Sequence, residues 1–200
     1  MEAPNQMIDG DYMKMNILNA NPNDIDDILD LQEESLLENM SAEEANTHGF
    51  LRTRLPRQSI KYLIENNWIL VGKIDDKAIS YIIGGDWSFF LQWEIFKVMS
   101  SRLIGKEVGG VTLSMVNTYQ YGPVCISRKH QGRGIFRQLL IAMFQKFSDD
   151  YRIAITFINE DNVRSLAAHK REGLEVIDTF QLDGTTFHTL AFDNRKIPLQ

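Results

Sequence analysis

One block constrains what this chain can fold into more than any other feature. Tyr119 to Ser127 is rich in β-branched and aromatic side chains, as a strand is, and the tract Arg128-Lys129-His130-Gln131-Gly132-Arg133-Gly134 follows directly. Gly134 to Phe147 then reads as a helix, because Ile135, Leu139, Met143 and Phe147 recur at helical spacing and Leu140 and Phe144 widen the stripe. Arg152 to Ile158 is nearly all apolar, the pattern of a strand buried on both faces. Asn159 to Asn162 caps a further helix, Val163 to Arg171, which stops at Gly173. Strand, glycine loop, helix, buried strand and helix in succession call for a sheet with helices packed on it.

The loop carries the chemistry of the block. A glycine turn at a helix N-terminus exposes N–H groups that have no helical carbonyl to bond, and such groups hold anions. Gly132 and Gly134 let the chain approach a phosphate without a Cβ in the way, and Arg128, Arg133 and Arg137 add positive charge. A P-loop is ruled out, since no Gly-Lys followed by Ser or Thr is present. The dinucleotide fingerprint is ruled out as well, because its third glycine would fall on Arg137 and its acidic residue on apolar strand positions. A plain strand-to-helix turn accounts equally well for the two glycines taken alone.

Elsewhere the reading is of one domain from residue 14 to 200, behind a polar leader over residues 1–13. Met15 to Leu18 is a short strand, and Asn21-Pro22-Asn23-Asp24 turns into a helix over residues 24–39 with Ile25, Ile28, Leu29, Leu31, Leu36 and Leu37 on one stripe. Ser41-Ala42-Glu43-Glu44 opens a second helix, and Gln58 to Asn66 reads as a third. Trp68 to Ile74 and Lys77 to Ile83 form a hairpin around Asp75-Asp76, which Gly84-Gly85-Asp86 ends. Residues 87–117 are a variable insertion dense in aromatic rings and broken by Gly105, Gly109 and Gly110. Glu175 to Gln181 and Phe187 to Phe192 are two last strands flanking an Asp183-Gly184 turn.

Composition excludes several classes of function. With 21 basic against 27 acidic residues and a net charge of −6, broad binding to a nucleic-acid backbone is disfavoured. An RNA-binding surface built on Arg128, Lys129 and Arg133 also lacks stacking aromatics in that loop. No apolar run reaches the roughly 18 residues of a membrane span. The single cysteine, Cys125, offers neither a disulfide framework nor a structural zinc cluster, and it points to a reducing, cytoplasmic setting without a metal.

Gln131, Gly132, Arg133, Gly134 and Ile135 follow the acetyl-CoA loop pattern of the GNAT superfamily of N-acetyltransferases, with Phe136 in place of its final small residue. Asn162, Ser165, His169, Gly173 and Leu174 fall at the spacings of a second motif of that family. The chain resembles this family over roughly residues 14–193. The resemblance implies an α/β (α+β) fold, a central mixed sheet of six or seven strands flanked by helices with its fourth and fifth strands splayed. Backbone groups of Val124, Cys125 and Ile126 would then hold the pantetheine arm and meet the oxyanion, where Pro123 interrupts the ladder. The N–H groups of Gly132, Arg133, Gly134, Ile135 and Phe136 would hold the pyrophosphate, with Gln131, Arg137 and Asn162 beside it. Asn162 has a sufficient role as a helix N-cap besides.

The implied activity is transfer of the acetyl group of acetyl-CoA to an amine of a small molecule, peptide or protein by direct attack. Many relatives carry a proton-donating Tyr in the helix after the fifth strand, and this chain has His169 there. A free imidazole titrates near 6.5, so it could donate to a thiolate or hold it by hydrogen bonding. A surface histidine is the alternative. Relatives place a basic carboxylate on or near the fourth strand, where this chain has Gly122 and Pro123 and where Tyr121 is the nearest polar group. Asp86, Glu94 and Asp183 are remote, and no base is named. Trp87, Phe90 and Trp93 stand three apart, so one face with Glu94 beside it would suit a cationic amine with an apolar body. Packing on the sheet or a homodimer contact would use the same rings. A catalytically silent module that binds CoA is the second reading of the whole.

Overall fold

A computed structural model describes residues 15–197, and the leader expected over residues 1–13 lies outside them. The strands are β1 (Asn16–Asn19), β2 (Ile69–Ile74), β3 (Lys77–Gly85), β4 (Glu107–Val108), β5 (Val111–Thr112), β6 (Thr118–Ile126), β7 (Ile153–Asn159), β8 (Glu175–Leu182) and β9 (Thr185–Asp193). The helices are α1 (Ile25–Ser35), α2 (Ala42–His48), α3 (Arg57–Glu65), α4 (Trp87–Phe90), α5 (Glu94–Ser101), α6 (Ile135–Phe147) and α7 (Val163–Arg171). Seven strands make one mixed sheet in the order β1-β2-β3-β6-β7-β9-β8, and β4 and β5 form a small separate ladder. All neighbours in the large sheet are antiparallel except β6 and β7.

Local chemistry accounts for the boundaries. The β2–β3 turn places Asp75 and Asp76 at φ 48° and 63°, as a two-residue hairpin requires. Ser41 caps α2 through a reciprocal box with Glu44. The first helix is shorter than its apolar spacing predicts. It ends at Ser35, because Leu36 turns extended and bridges Leu51 in parallel, so a tertiary contact overrides the helical stripe.

Three apolar clusters cover the sheet. On one face, α6 lays Ile135, Leu139, Leu140, Met143, Phe144 and Phe147 on Tyr119, Tyr121, Ala154 and Ile158, with Leu174 after α7. On the other face, α1 and α3 cover β2 and β3 through Ile28, Leu31, Ile60 and Leu63. The 87–117 segment covers the remaining half of that face, placing Trp87, Met99, Leu103, Val108 and Leu113 on Ile153, Ile155, Phe187 and Ala191. Arg102 and Lys106 fasten it to Asp178 of β8 at 2.5 and 3.0 Å.

The expected aromatic face on this segment does not form. α4 is a single turn, so Trp87 and Phe90 enter different clusters. Trp87 donates its indole N–H to Thr118 Oγ1 at 2.9 Å. Trp93 is half-buried against Phe89 and Phe96. Glu94 is exposed and pairs with Lys97, one turn along α5.

Candidate active site

β6 and β7 pair only at Thr118–Ile153, Tyr119–Ala154 and Gln120–Ile155, and then part. Past that point β7 stays with β9 to Asn159, and β6 stays with β3 to Ile126. The two strands therefore fork. Gly122 and Pro123 sit at the parting, where β6 has two residues without a β3 partner. Gly122 holds φ 106°, and a side chain there would press on Thr156 Oγ1 at 3.3 Å.

The β6 edge that faces the gap can be read from the ladder. Ser127 donates its N–H to Ile79 O on the β3 side at 2.9 Å. Alternation then turns the peptide groups of Cys125 toward β3 and those of Val124 and Ile126 toward the open edge. Of the three residues expected to offer backbone groups, Cys125 is thus committed elsewhere. Its thiol is buried and bonds Tyr81 Oη at 3.1 Å, and burial pushes it up to about 11. A protonated thiol of that kind is no nucleophile.

The glycine loop stands at the end of the same edge. Gly132 and Gly134 hold φ 77° and 75°, and an added Cβ at Gly132 would meet nothing within 4 Å. The first bond back into α6 runs from Gln138 N–H to Gly134 O, leaving the N–H groups of Ile135, Phe136 and Arg137 without helical acceptors. An open cradle of free N–H groups on a 13-residue helix fits a phosphate. Phe136 turns its ring from the loop onto His169, 4.7 Å away and edge-on.

The three cations near the loop differ in what they hold. Arg128 is bound to Glu44 at 2.6 Å and to Glu34 O at 3.0 Å. Arg137 reaches Glu172, the C-cap of α7, at 2.8 Å, so its own backbone N–H is what it offers at the loop. Arg133 is exposed, and among the described residues no acid pairs with it.

The sequence does not reveal that the end of α2 and the residues just after it tie both sides of the fork together. His48 Nδ1 meets Gln131 Oε1 at 2.9 Å, while Gln131 Nε2 donates to Ile126 O at 3.3 Å. Asn162 caps α7 by accepting from Ser165 N–H, and its Nδ2 donates to Phe50 O at 2.9 Å. Two polar residues of the fork also escape the sequence reading. Gln120 and Thr156 are both buried, and their signal is a polar side chain inside an otherwise apolar run.

His169 is no surface histidine. It is 6% exposed, lies between Phe136 and Tyr121, and its Nδ1 stands 2.7 Å from Ser165 O. A carbonyl only accepts, so Nδ1 carries the hydrogen and Nε2 the lone pair. Burial draws the ring down to about 4 against the smaller opposing pull of Ser165 O. At neutral pH it is uncharged and has no proton at Nε2 to give. Tyr121 is fully buried and stacks on this ring at 6.0 Å and 23°.

No family model and no curated protein matches the chain. Among solved structures it is similar to a GNAT-family acetyltransferase from Streptococcus agalactiae, with 19% identity, TM-score 0.64, and coverage of 91% of this chain and 96% of that one. An N-acetyltransferase from Staphylococcus aureus gives 14% identity, TM-score 0.62, and coverage of 91% and 99%. A chain of the NatC complex bound to Gag peptide and CoA gives 11% identity, TM-score 0.59, and coverage of 90% and 99%. The fold of this chain is that of the GNAT acetyltransferases.

Proposed function

We propose that this protein is an acetyl-CoA-dependent N-acetyltransferase that acylates an amine by direct attack. The observation that carries the reading is the fork, where two parallel strands part after three pairs beside a glycine cradle at the start of α6. Val124 and Ile126 would take the amides of the pantetheine arm as an added strand takes them, and the loop from Gln131 to Phe136 would take the pyrophosphate. Bound acetyl-CoA supplies an activated acyl group and a thiolate that leaves with its electron pair. A peptide N–H of Val124 or Ile126 would stabilise the oxyanion, a contribution of about 3 kcal/mol.

The buried thiol of Cys125 favours direct attack over a covalent acyl-enzyme. The acceptor would approach from the α1 and α5 side, opposite α6, where Phe96 packs edge-on to Phe157 of β7 at 5.2 Å and Trp93 stands beside it. Glu94 has no part in that wall. The neutral state of His169 favours the second reading, a catalytically silent CoA-binding module. Release of free thiol from acetyl-CoA across a panel of amines separates the two. Amine-dependent release supports the enzyme, whereas CoA binding without release for any amine supports the silent module.

A further inference from the structure

We propose that the phenol O–H of Tyr121, rather than the imidazole of His169, is the group that hydrogen-bonds the sulfur as the thiolate departs. This rests on the acetyl-CoA reading above. Tyr121 is the first residue of β6 beyond the last pair of the parallel ladder, so it stands where the fork closes. It lies on the α6 and α7 face, with Phe144 edge-on to its ring at 5.6 Å and His169 stacked on it.

Its hydroxyl is buried and, among the described residues, has no hydrogen-bond partner. An orphaned buried hydroxyl costs stability and calls for an explanation, and a ligand atom that completes it is one. Tyr119, two residues earlier on the same face, also has a buried hydroxyl, but it has Asn194 near it and lies within the ladder opposite Ala154, with its ring stacked on Phe147 at 4.5 Å. Only Tyr121 of the two adjoins the gap.

His169 occupies the helix position that the family resemblance offers for this role, yet its one hydrogen is spent on Ser165 O. Tyr121 has the hydrogen that His169 lacks. Burial raises its phenol well above the usual range, so it stays protonated. In the step itself the amine lone pair forms the N–C bond and the C–S pair returns to sulfur. The amine proton passes to water, and sulfur takes a proton from water afterwards. Tyr121 shares its hydrogen with sulfur and keeps it.

The test compares binding of CoA and of desulfo-CoA, which lacks the thiol, by calorimetry at pH 10, well above the ordinary thiol range, so that a substantial share of the thiol is ionised. Wild-type protein should prefer CoA by about tenfold, the effect of one hydrogen bond to a charged group. Tyr121→Phe should bring the preference to within about twofold, leave desulfo-CoA affinity unchanged, and leave the melting temperature no lower, since no partner is orphaned. His169→Phe, which keeps a flat ring against Tyr121, should retain the preference. A preference that persists in Tyr121→Phe, or that disappears in His169→Phe alone, overturns the assignment. Failure of wild-type protein to bind either ligand overturns the acetyl-CoA reading and the assignment with it, and is distinct from both.

Discussion

At residue scale, His169 shows how burial decides what a side chain can do. Lys170 and Arg171 follow it in sequence, so its neighbours there suggest solvent, while the rings that cover it come from Tyr121 and Phe136, far away along the chain. Its ring is drawn from 6.5 to about 4 on folding. The unfolded chain therefore binds a proton below 6.5 that the native ring refuses until about 4, and stability falls as pH drops through that window. Between pH 7.5 and pH 5.0 the wild-type protein should lose about 2 kcal/mol in urea melts from this group. His169→Phe should lack that share of the loss. Parallel pH curves for the two proteins would show that the ring titrates normally.

At element scale, the glycine loop and the 87–117 segment were legible to different degrees. The loop, α6, β7 and α7 declare themselves because their periodicities are strong and their caps are local, Gly134 before α6 and Asn162 before α7. Residues 87–117 do not. Their rings divide between two clusters separated by a turn, so no single period describes them. At the loop, Gly134→Glu should abolish CoA binding in calorimetry while the protein stays folded, because a carboxylate would stand where phosphate charge belongs. Unchanged affinity would show that the cradle is only a turn. Where the 87–117 segment meets β8, Asp178→Ala removes the acceptor of both Arg102 and Lys106 and should lower the midpoint of a denaturant melt. An unmoved midpoint would mark the pair as surface decoration.

At the scale of the whole molecule, the mixed sheet and the parting of two of its strands, observed between β6 and β7, follow from the resemblance to the GNAT family. The ties that close the fork do not. His48 with Gln131 and Phe50 with Asn162 join segments more than 80 residues apart, and nothing local in the sequence announces them. Leu36 fails as a helix residue for the same reason, since its partner Leu51 lies in another segment. A ligand that binds only this assembled fork must stabilise the whole fold, because the unfolded chain has no fork to offer. The central claim is tested most directly by measuring unfolding free energy with and without CoA at 100 times its dissociation constant. A gain of about 2.7 kcal/mol, lost in Gly134→Glu, is the predicted result, and an unfolding curve that millimolar CoA leaves unmoved would contradict it.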